Sequence, residues 1–294
     1  MSVYTSDFET AIRKAFGNIE KPLEGFHIFV DAGNGAGGFF AGKVLEPLGA
    51  VTSGSQFLEP DGLFPNHNPN PEDKAVMKAI TQAVLDNKSD LGIIFDTDVD
   101  RSAAVDSTGR EFNRNRLFAL MSAIVLEEHP GTTIVTNSVT SDGLTTFIEK
   151  KLGGKHHRFK RGYKNVIDET IHLNSVGEES HLAIETRGHG ALKVNHWLDD
   201  GAYLMVKLLN KLASARASGQ TCVQPAKTVK REPVTSASRS HNSSYAATPL
   251  ETLMNQWVPK RVESVKKEPK QPVDYEEAPL PGVSKWWDRL VGSG

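Results

Sequence analysis

The chain has 294 residues with 34 Lys+Arg and 36 Asp+Glu, so its formal net charge of −2 provides no general attraction to nucleic acid or anionic membranes. Its single cysteine, Cys222, excludes a disulfide scaffold and a cysteine-rich zinc site. No apolar run is long enough to span a membrane, and residues 1–21 lack the apolar region of a signal peptide. We therefore expect a protein that binds neither nucleic acid nor membrane and is cytoplasmic by default.

Short apolar strands alternate with helices through residues 1–213. After a leader helix or linker at residues 1–21, helices are predicted at residues 37–48, 71–87, 113–128, 141–152, 165–173 and 199–213. Strands are predicted at residues 26–30, 91–95, 102–105, 133–136, 157–160 and 182–185. The alternation is typical of βαβ units. It predicts two consecutive α/β domains with mixed or parallel sheets, at residues 22–129 and 130–213.

Residues 214–294 have a different composition. They hold 12 Lys+Arg and 8 Asp+Glu, a net charge of 12 − 8 = +4, together with 8 of the 15 prolines. Such a segment buries too little apolar surface to offset the entropy lost on ordering, which predicts a largely disordered Pro/Ser/Lys-rich tail. Residues 250–257 and 285–291 are candidates for folding on a protein partner, and an unstructured tail is the simpler interpretation.

Three aspartates and an arginine follow the strand predicted at residues 91–95. Asp96, Asp98 and Asp100 are spaced i, i+2 and i+4, at the end of a strand where α/β folds bind ligands. Their charges repel unless a cation joins them, and carboxylate oxygens suit Mg²⁺ or Ca²⁺. An EF-hand does not fit, because Arg101 stands where that motif requires glycine. The arginine favours a phosphate ligand beside the metal, and a solvated acidic turn is the alternative.

A glycine-rich loop follows the first predicted strand. Gly33, Gly35 and Gly38 satisfy the G-x-G-x-x-G spacing, which is a weak signal for a dinucleotide site when it stands alone. Asp31 would repel a pyrophosphate at this place. The preferred interpretation is therefore a tight strand-to-helix turn with close packing.

Two polar segments follow later strands. Residues 156–164 form a basic run with interleaved aromatic residues, which we interpret as a phosphate-facing loop rather than a nucleic-acid contact, since the surrounding domain is acidic. Glu185 and His189 follow the strand at residues 182–185 and are able to hydrogen-bond a polyol. A zinc site at His189 and His196 lacks thiols and close spacing.

Taken together, the acidic loop and these two segments resemble the α-D-phosphohexomutase family, which includes phosphoglucomutase, phosphomannomutase and phosphoglucosamine mutase. The resemblance covers about residues 22–212. The acidic loop is similar to the family's magnesium loop, Asp-Gly-Asp-Gly-Asp-Arg. This implies that Asp96, Asp98 and Asp100 bind Mg²⁺ and that Arg101 lies near the reacting phosphate.

The other two segments resemble substrate-contacting parts of the same family. Residues 159–163 are similar to the segment whose lysine is a candidate general acid/base, which implies that role for Lys160. Residues 185–189 resemble the sugar-recognition loop Glu-x-Ser-Gly-His, and residues 198–202 match the segment after it. The substrate-binding residues implied by the resemblance are Gly162, Tyr163, Glu185, Arg187, Gly188 and His189. The implied reaction is intramolecular phosphoryl transfer on hexose phosphates and bisphosphates.

The sequence also departs from the family, whose members have four domains, because it resembles only the second and third. The family's catalytic serine lies in the first domain, and residues 240–244 are a superficial echo of its loop without the proline. Arg187 replaces the serine of the sugar loop, so the preferred hexose is not determined. We expect a catalytically incomplete fragment with little or no mutase activity. The alternatives are a non-catalytic module that binds Mg²⁺, sugar phosphate or a partner, and a serine supplied in trans. If an N-terminal targeting region is missing from this chain, the expected location changes from the cytoplasm to a plastid.

Overall fold

A computed structural model describes residues 1–217 of the chain. These residues form two compact α/β units, one from residues 1–112 and 201–217 and the other from Asn113–Asp200. The prediction of two α/β domains is thereby confirmed. The two tail segments considered for partner binding, residues 250–257 and 285–291, lie outside the described residues.

Helices and strands alternate through both units as the sequence predicted. Within the described residues the helices are α1 Ser2–Ala15, α2 Lys74–Asn87, α3 Asn115–Glu128, α4 Asp142–Thr146, α5 Tyr163–Ser175 and α6 Gly201–Ala217. The strands are β1 Ile28–Asp31, β2 Leu91–Phe95, β3 Ser102–Asp106, β4 Glu111–Phe112, β5 Thr133–Asn137, β6 Lys155–Phe159, β7 Ser180–Ile184 and β8 Gly190–Leu192. Short 3₁₀ turns lie at Ala36–Gly38 and Lys193–Asn195, and π-helical turns at Ala41–Leu45 and Phe147–Lys151.

The first unit is built on a mixed sheet in the order β1-β2-β3-β4. β1 and β2 are parallel, and the other pairs are antiparallel. Every residue of β1, β2 and β3 is buried, which is why these strands are mostly apolar in sequence. The helix α2 covers one side of the sheet with Val76, Ile80 and Val84.

Helix α1 is part of the first unit rather than a leader or linker. Its Phe8 is buried, and the Phe8 ring lies 5.9 Å from the ring of Tyr203 in α6 and 6.2 Å from that of Phe40. Helix α6 in turn packs against β2 and β3. The N-terminal helix therefore contributes to the core that carries the acidic loop.

The second unit has a sheet in the order β6-β5-β7-β8, in which only β8 is antiparallel to its neighbour. A buried cluster of Val135, Val166, Leu173 and Ala183 joins α5 to the sheet. Ser141 caps α4 as predicted, because its hydroxyl accepts the Leu144 N–H at 3.2 Å.

The structural units end at different residues from the sequence-based domain boundaries. The structure divides between residues 112 and 113 rather than between 129 and 130, because the buried residues 117–126 of α3 pack in the second unit, where the helix contacts β7. Residues 214–217 were placed in the disordered tail, and the structure corrects this because they continue α6. Among the helices of residues 1–217, none has both the length and the apolarity that crossing a membrane requires.

Candidate functional site

The acidic loop is a tight turn closed by its first aspartate. Asp96 follows β2 directly and is 1% exposed. Its carboxylate accepts the backbone N–H groups of Val99 and Arg101, both at 3.1 Å, and Arg101 Nε at 2.7 Å. The N–H of Asp96 donates to the carbonyl of Arg101 at 3.2 Å. This local network fixes the guanidinium of Arg101 beside the carboxylates.

The three aspartates of the loop converge as the spacing suggested. Asp96, Asp98 and Asp100 each present one carboxylate oxygen, and these oxygens lie within 4.8 Å of one another. Burial raises the pKa of Asp96 to about 7, and the neighbouring Asp100 shifts it in the same direction. A divalent cation bound between the oxygens would offset the burial and the repulsion that disfavour the ionised form of Asp96. Three hard oxygen donors with exposed Asp98 on the open side fit Mg²⁺; the assignment of these ligands stays a prediction.

Arg101 is surrounded by carboxylates from two parts of the first unit. Besides Asp96, its Nε lies 3.5 Å from Asp100 Oδ1 and its Nη1 lies 3.7 Å from Glu72 Oε2. Glu72 was not recognised from the sequence, because it precedes α2 and is 29 positions away (101 − 72 = 29). Its carboxylate adds a third negative charge beside the guanidinium of Arg101.

The glycine-rich loop packs against the backbone of the acidic loop. The Ala36 N–H donates to the Thr97 carbonyl at 2.9 Å. A Cβ on Gly35 would lie only 2.9 Å from that same oxygen and 3.1 Å from the Asp96 carbonyl. The buried Asp31 accepts the Gly33 N–H at 2.9 Å, which closes the turn. These contacts support the interpretation as a tight turn and give it a role beneath the candidate metal ligands.

The sugar-recognition loop predicted at residues 185–189 begins at the end of β7. Glu185 is 5% exposed, and its N–H donates to the His189 carbonyl at 2.9 Å. The Gly188 N–H donates to the Glu185 carbonyl at 2.9 Å, and Gly188 has a φ of +100°, which favours glycine. The exposed Arg187 donates its backbone N–H to Glu185 Oε2 at 2.9 Å. The loop is therefore a closed turn around one buried carboxylate.

An aromatic contact brings the two predicted substrate segments of the second unit together. The rings of Tyr163 and His189 are stacked with centroids 4.6 Å apart. His189 Nδ1 also lies 2.7 Å from Asp199 Oδ2, which orients the imidazole. Gly162, with a φ of +104°, makes the turn from β6 into α5 that presents Tyr163.

The basic run at residues 156–164 is divided between the interior and the strand end. His156 lies between the hydroxyls of Thr136 and Thr145, at 2.8 and 2.7 Å. Burial, followed by the nearby charges of Arg158 and His157, lowers the pKa of His156 to about 4, so the ring is neutral at pH 7. Lys160 is exposed after β6, with its ammonium 5.6 Å from the Phe159 ring centroid.

The sequence analysis missed the residue that holds Glu185. Asn137, at the carboxyl end of β5, donates its side-chain N–H₂ to Glu185 Oε1 at 2.7 Å. The same rule that singled out Asp96, a polar residue directly after a parallel strand, could have found it. Asp199, the partner of His189, was noted only as part of a matching segment.

Comparison with known proteins identifies the family. The model described as phosphoglucomutase/phosphomannomutase, alpha/beta/alpha domain II, matches residues 3–109, and the corresponding domain III model matches residues 113–230. The chain therefore belongs to the phosphoglucomutase/phosphomannomutase family, as the resemblance of its loops predicted. The domain II model covers most of the first unit, and the domain III model covers the second unit together with α6, which packs in the first unit.

Individual relatives agree with this assignment. A phosphomannomutase/phosphoglucomutase of Pseudomonas putida is 32% identical over 196 residues, which make up 66% of this chain and 40% of that protein. A phosphoglucomutase of Neisseria gonorrhoeae is 31% identical over 200 residues, 67% of this chain and 41% of that protein. The chain thus spans about 40% of the length of these curated relatives.

A solved structure agrees as well. The crystal structure of a phosphoglucomutase/phosphomannomutase family protein from Burkholderia thailandensis matches with a TM-score of 0.60 at 28% sequence identity. The match covers 72% of this chain and 47% of that chain.

Proposed function

We propose that this chain provides the metal-binding and sugar-recognition domains of a phosphohexomutase that acts on hexose phosphates with Mg²⁺. The observation that carries the proposal is the convergence of Asp96, Asp98 and Asp100 within 4.8 Å in a turn that also fixes Arg101. The membership of the family supports the substrate class. The metal supplies positive charge that offsets charge on a transferring phosphoryl group.

The residues of the chain take distinct roles in this proposal. Arg101 binds oxygens of the reacting phosphate, since a guanidinium matches phosphate geometry. The carboxylate of Glu185 accepts a hydrogen bond from a sugar hydroxyl, and His189, oriented by Asp199, binds beside it. Lys160 exchanges a proton at Nζ with the sugar hydroxyl that gains or loses the phosphoryl group. Gly162, Tyr163, Arg187 and Gly188 complete the substrate-binding surface.

We further propose that the 294-residue chain by itself binds Mg²⁺ and hexose phosphate but turns substrate over weakly or not at all. The family models matched are domains II and III, whereas the phosphoryl-carrying serine of the family belongs to domain I. Remote binding energy also supports catalysis, so domains II and III acting alone are expected to turn substrate over slowly. The alternative is a non-catalytic module that binds the same ligands or a protein partner.

The test is a coupled phosphoglucomutase assay on the purified 294-residue chain with Mg²⁺ and a hexose bisphosphate activator. In parallel, calorimetry measures binding of Mg²⁺ and of glucose 1-phosphate. We expect binding without turnover. Turnover that Asp98→Ala abolishes would overturn the view of an incomplete enzyme, and a folded chain that binds neither ligand would overturn the whole proposal.

A further inference from the structure

Asn137 is a fully buried polar residue at the carboxyl end of β5, the strand that lies between β6 and β7. Asparagine is mostly found on protein surfaces, so complete burial needs a reason. Its side-chain nitrogen donates to Glu185 Oε1 at 2.7 Å and to Thr186 Oγ1 at 2.8 Å. Both amide hydrogens are therefore directed at the sugar-recognition loop.

The carboxylate of Glu185 is held by three neutral donors. Besides Asn137, the Thr186 hydroxyl donates to Oε1 at 3.1 Å, and the Arg187 backbone N–H donates to Oε2 at 2.9 Å. An ionised carboxylate has about four lone-pair sites. Three donors leave about one site to accept a hydrogen bond from a ligand, and they fix the direction in which that site points.

Stability alone does not account for an asparagine at this position. The Asn137 Oδ1 atom is buried and accepts no hydrogen bond from residues 1–217. An unsatisfied buried acceptor is destabilising, and an apolar side chain of similar size avoids that cost. The residue is therefore explained by what its N–H₂ group does to the neighbouring loop.

We propose that Asn137 is a positioning residue for sugar recognition, which orients the Glu185 carboxylate so that its remaining acceptor site faces a hydroxyl of the hexose ring. The inference rests on the proposed function, because it concerns how the same site distinguishes a sugar phosphate from phosphate alone. The backbone of residues 185–189 places Glu185, and Asn137 sets the orientation of its side chain.

The first experiment compares two ligands by calorimetry in the presence of Mg²⁺. Asn137→Ala is expected to weaken glucose 1-phosphate binding about tenfold while leaving inorganic phosphate binding unchanged. Asn137→Leu, which is similar in size and has no donor, is expected to be impaired as much. Wild-type affinity for glucose 1-phosphate in either variant overturns the proposal.

The matched control is Asn174→Ala in the same unit. Asn174 also donates two hydrogen bonds, to the carbonyls of Thr170 and Ser180, both at 2.9 Å. It lies at the other end of α5, outside the site, so its removal lowers the melting temperature without changing either affinity. An equal loss of glucose 1-phosphate binding in this variant shows that general destabilisation is enough and overturns the positioning role.

A double-mutant cycle tests whether Asn137 acts through Glu185. In a Glu185→Ala background, Asn137→Ala is expected to cause no further loss of glucose 1-phosphate affinity, because the group that it positions is gone. The same tenfold loss in both backgrounds contradicts the inference.

A ligand-free measurement separates failure of this inference from failure of the proposed function. In ¹⁵N-labelled protein the side-chain amide protons of Asn137 are expected to exchange slowly with solvent, and faster in Glu185→Ala. If the wild-type chain binds no glucose 1-phosphate, the proposed function fails, and slow exchange that depends on Glu185 still supports the orienting contact. Fast exchange in the wild-type chain overturns the contact itself.

Discussion

The acidic loop of the first unit and the sugar loop of the second each bury a carboxylate at the end of a parallel strand, yet the charges around the two carboxylates differ. Asp96, 1% exposed, faces Asp98 and Asp100 with the guanidinium of Arg101 beside them, and burial raises its pKa to about 7. Glu185, 5% exposed, is bound by neutral donors. The acidic loop therefore gathers like charges that a bound cation would offset, whereas the carboxylate of the sugar loop already has hydrogen-bond donors from the protein.

The largest expected effect comes from removing one aspartate of the acidic loop. Asp98 is exposed, so Asp98→Ala leaves the core intact and relieves repulsion in the metal-free protein. We expect Mg²⁺ affinity to fall about 100-fold or more, since even outer-shell changes at metal sites cost about 10–100-fold. Stabilisation by Mg²⁺, about 2.7 kcal/mol at about 100 times the wild-type Kd, should almost disappear. Thermal unfolding with and without Mg²⁺ measures this.

Asp86→Ala is the control for this experiment, since Asp86 is an exposed acid of the same unit that accepts a hydrogen bond from the Gln82 side chain at 2.8 Å. It should retain the full response to Mg²⁺. An Asp98→Ala protein that Mg²⁺ stabilises as strongly as the wild type would show that the loop is a solvated acidic turn, and the contrast between the two loops would disappear.

The stability of the second unit, by contrast, should depend on pH rather than on Mg²⁺. His156 has a pKa of about 4 in the folded protein because of burial, below the usual value of 6.5. The unfolded chain thus binds the proton first as pH falls, and stability is lost between about pH 6.5 and pH 4. The loss is on the order of 3 kcal/mol. Urea unfolding followed by a probe in the second unit measures it.

His156→Asn removes the titrating ring, so its stability relative to the wild type should improve as pH falls from 7 to 4. The exposed His172→Asn in α5 provides the comparison, and its difference from the wild type should stay nearly constant over the same range. A His156→Asn protein with the same dependence on pH as the wild type would show that other groups account for the acid sensitivity.

The contrast also explains which features of the fold could be predicted. The strand at residues 91–95 was predicted to the residue, because burial on both faces makes an uninterrupted apolar run. β4 and β8 have two and three residues and depend on pairing with strands already in place, so they carry no local pattern. Residues 117–126 of α3 are all buried and apolar except Ser122, and such a segment does not indicate which sheet it covers.

The features of the acidic loop and of the sugar loop were likewise predictable to different degrees. The acidic loop is local, since Asp96 binds the backbone of Val99 and Arg101 within five positions, and a short motif is enough to predict it. Asn137 and Glu185 are 48 positions apart and meet because β5 and β7 are parallel neighbours. A single sequence provides no register for such a pair, so the support behind the sugar loop emerged only with the sheet order.

A smaller effect is expected from a substitution in the glycine-rich loop, which packs against the acidic loop. In Gly35→Ala the new Cβ would meet the Thr97 carbonyl at 2.9 Å, so the backbone of the loop must move. We expect destabilisation of about 1–2 kcal/mol, in the range for overpacking, and weaker Mg²⁺ binding. Gly42→Ala is the matched control, because its Cβ would meet nothing closer than 4.0 Å. Unchanged Mg²⁺ affinity in Gly35→Ala would show that the glycine turn does not contribute to Mg²⁺ binding.

The smallest effect is expected from Arg187→Ser, which tests whether the sugar loop is fully organised without its ligand. Arg187 contributes its backbone N–H to Glu185, which serine retains, and its side chain is exposed. Arg187→Ser should therefore change the free energy of unfolding by less than about 0.5 kcal/mol. An exposed charge pair is worth about 0.2–1 kcal/mol, so affinity for glucose 1,6-bisphosphate should fall by a factor between about 1.4 and about 5.

Measuring the affinity at high salt distinguishes two explanations of the Arg187→Ser effect. One is electrostatic attraction between the guanidinium and phosphate, and the other is a contact between the serine hydroxyl and the sugar. If the guanidinium attracts phosphate through solvent, the difference between Arg187→Ser and the wild type shrinks in about 1 M NaCl, where the screening length is about 3 Å. Arg187→Lys, which keeps the charge, should bind like the wild type at low salt. A difference that persists at high salt, or a tighter complex in Arg187→Ser, would mean that the hydroxyl itself contacts the sugar. The sugar loop would then be less complete without its ligand than the three donors on Glu185 indicate.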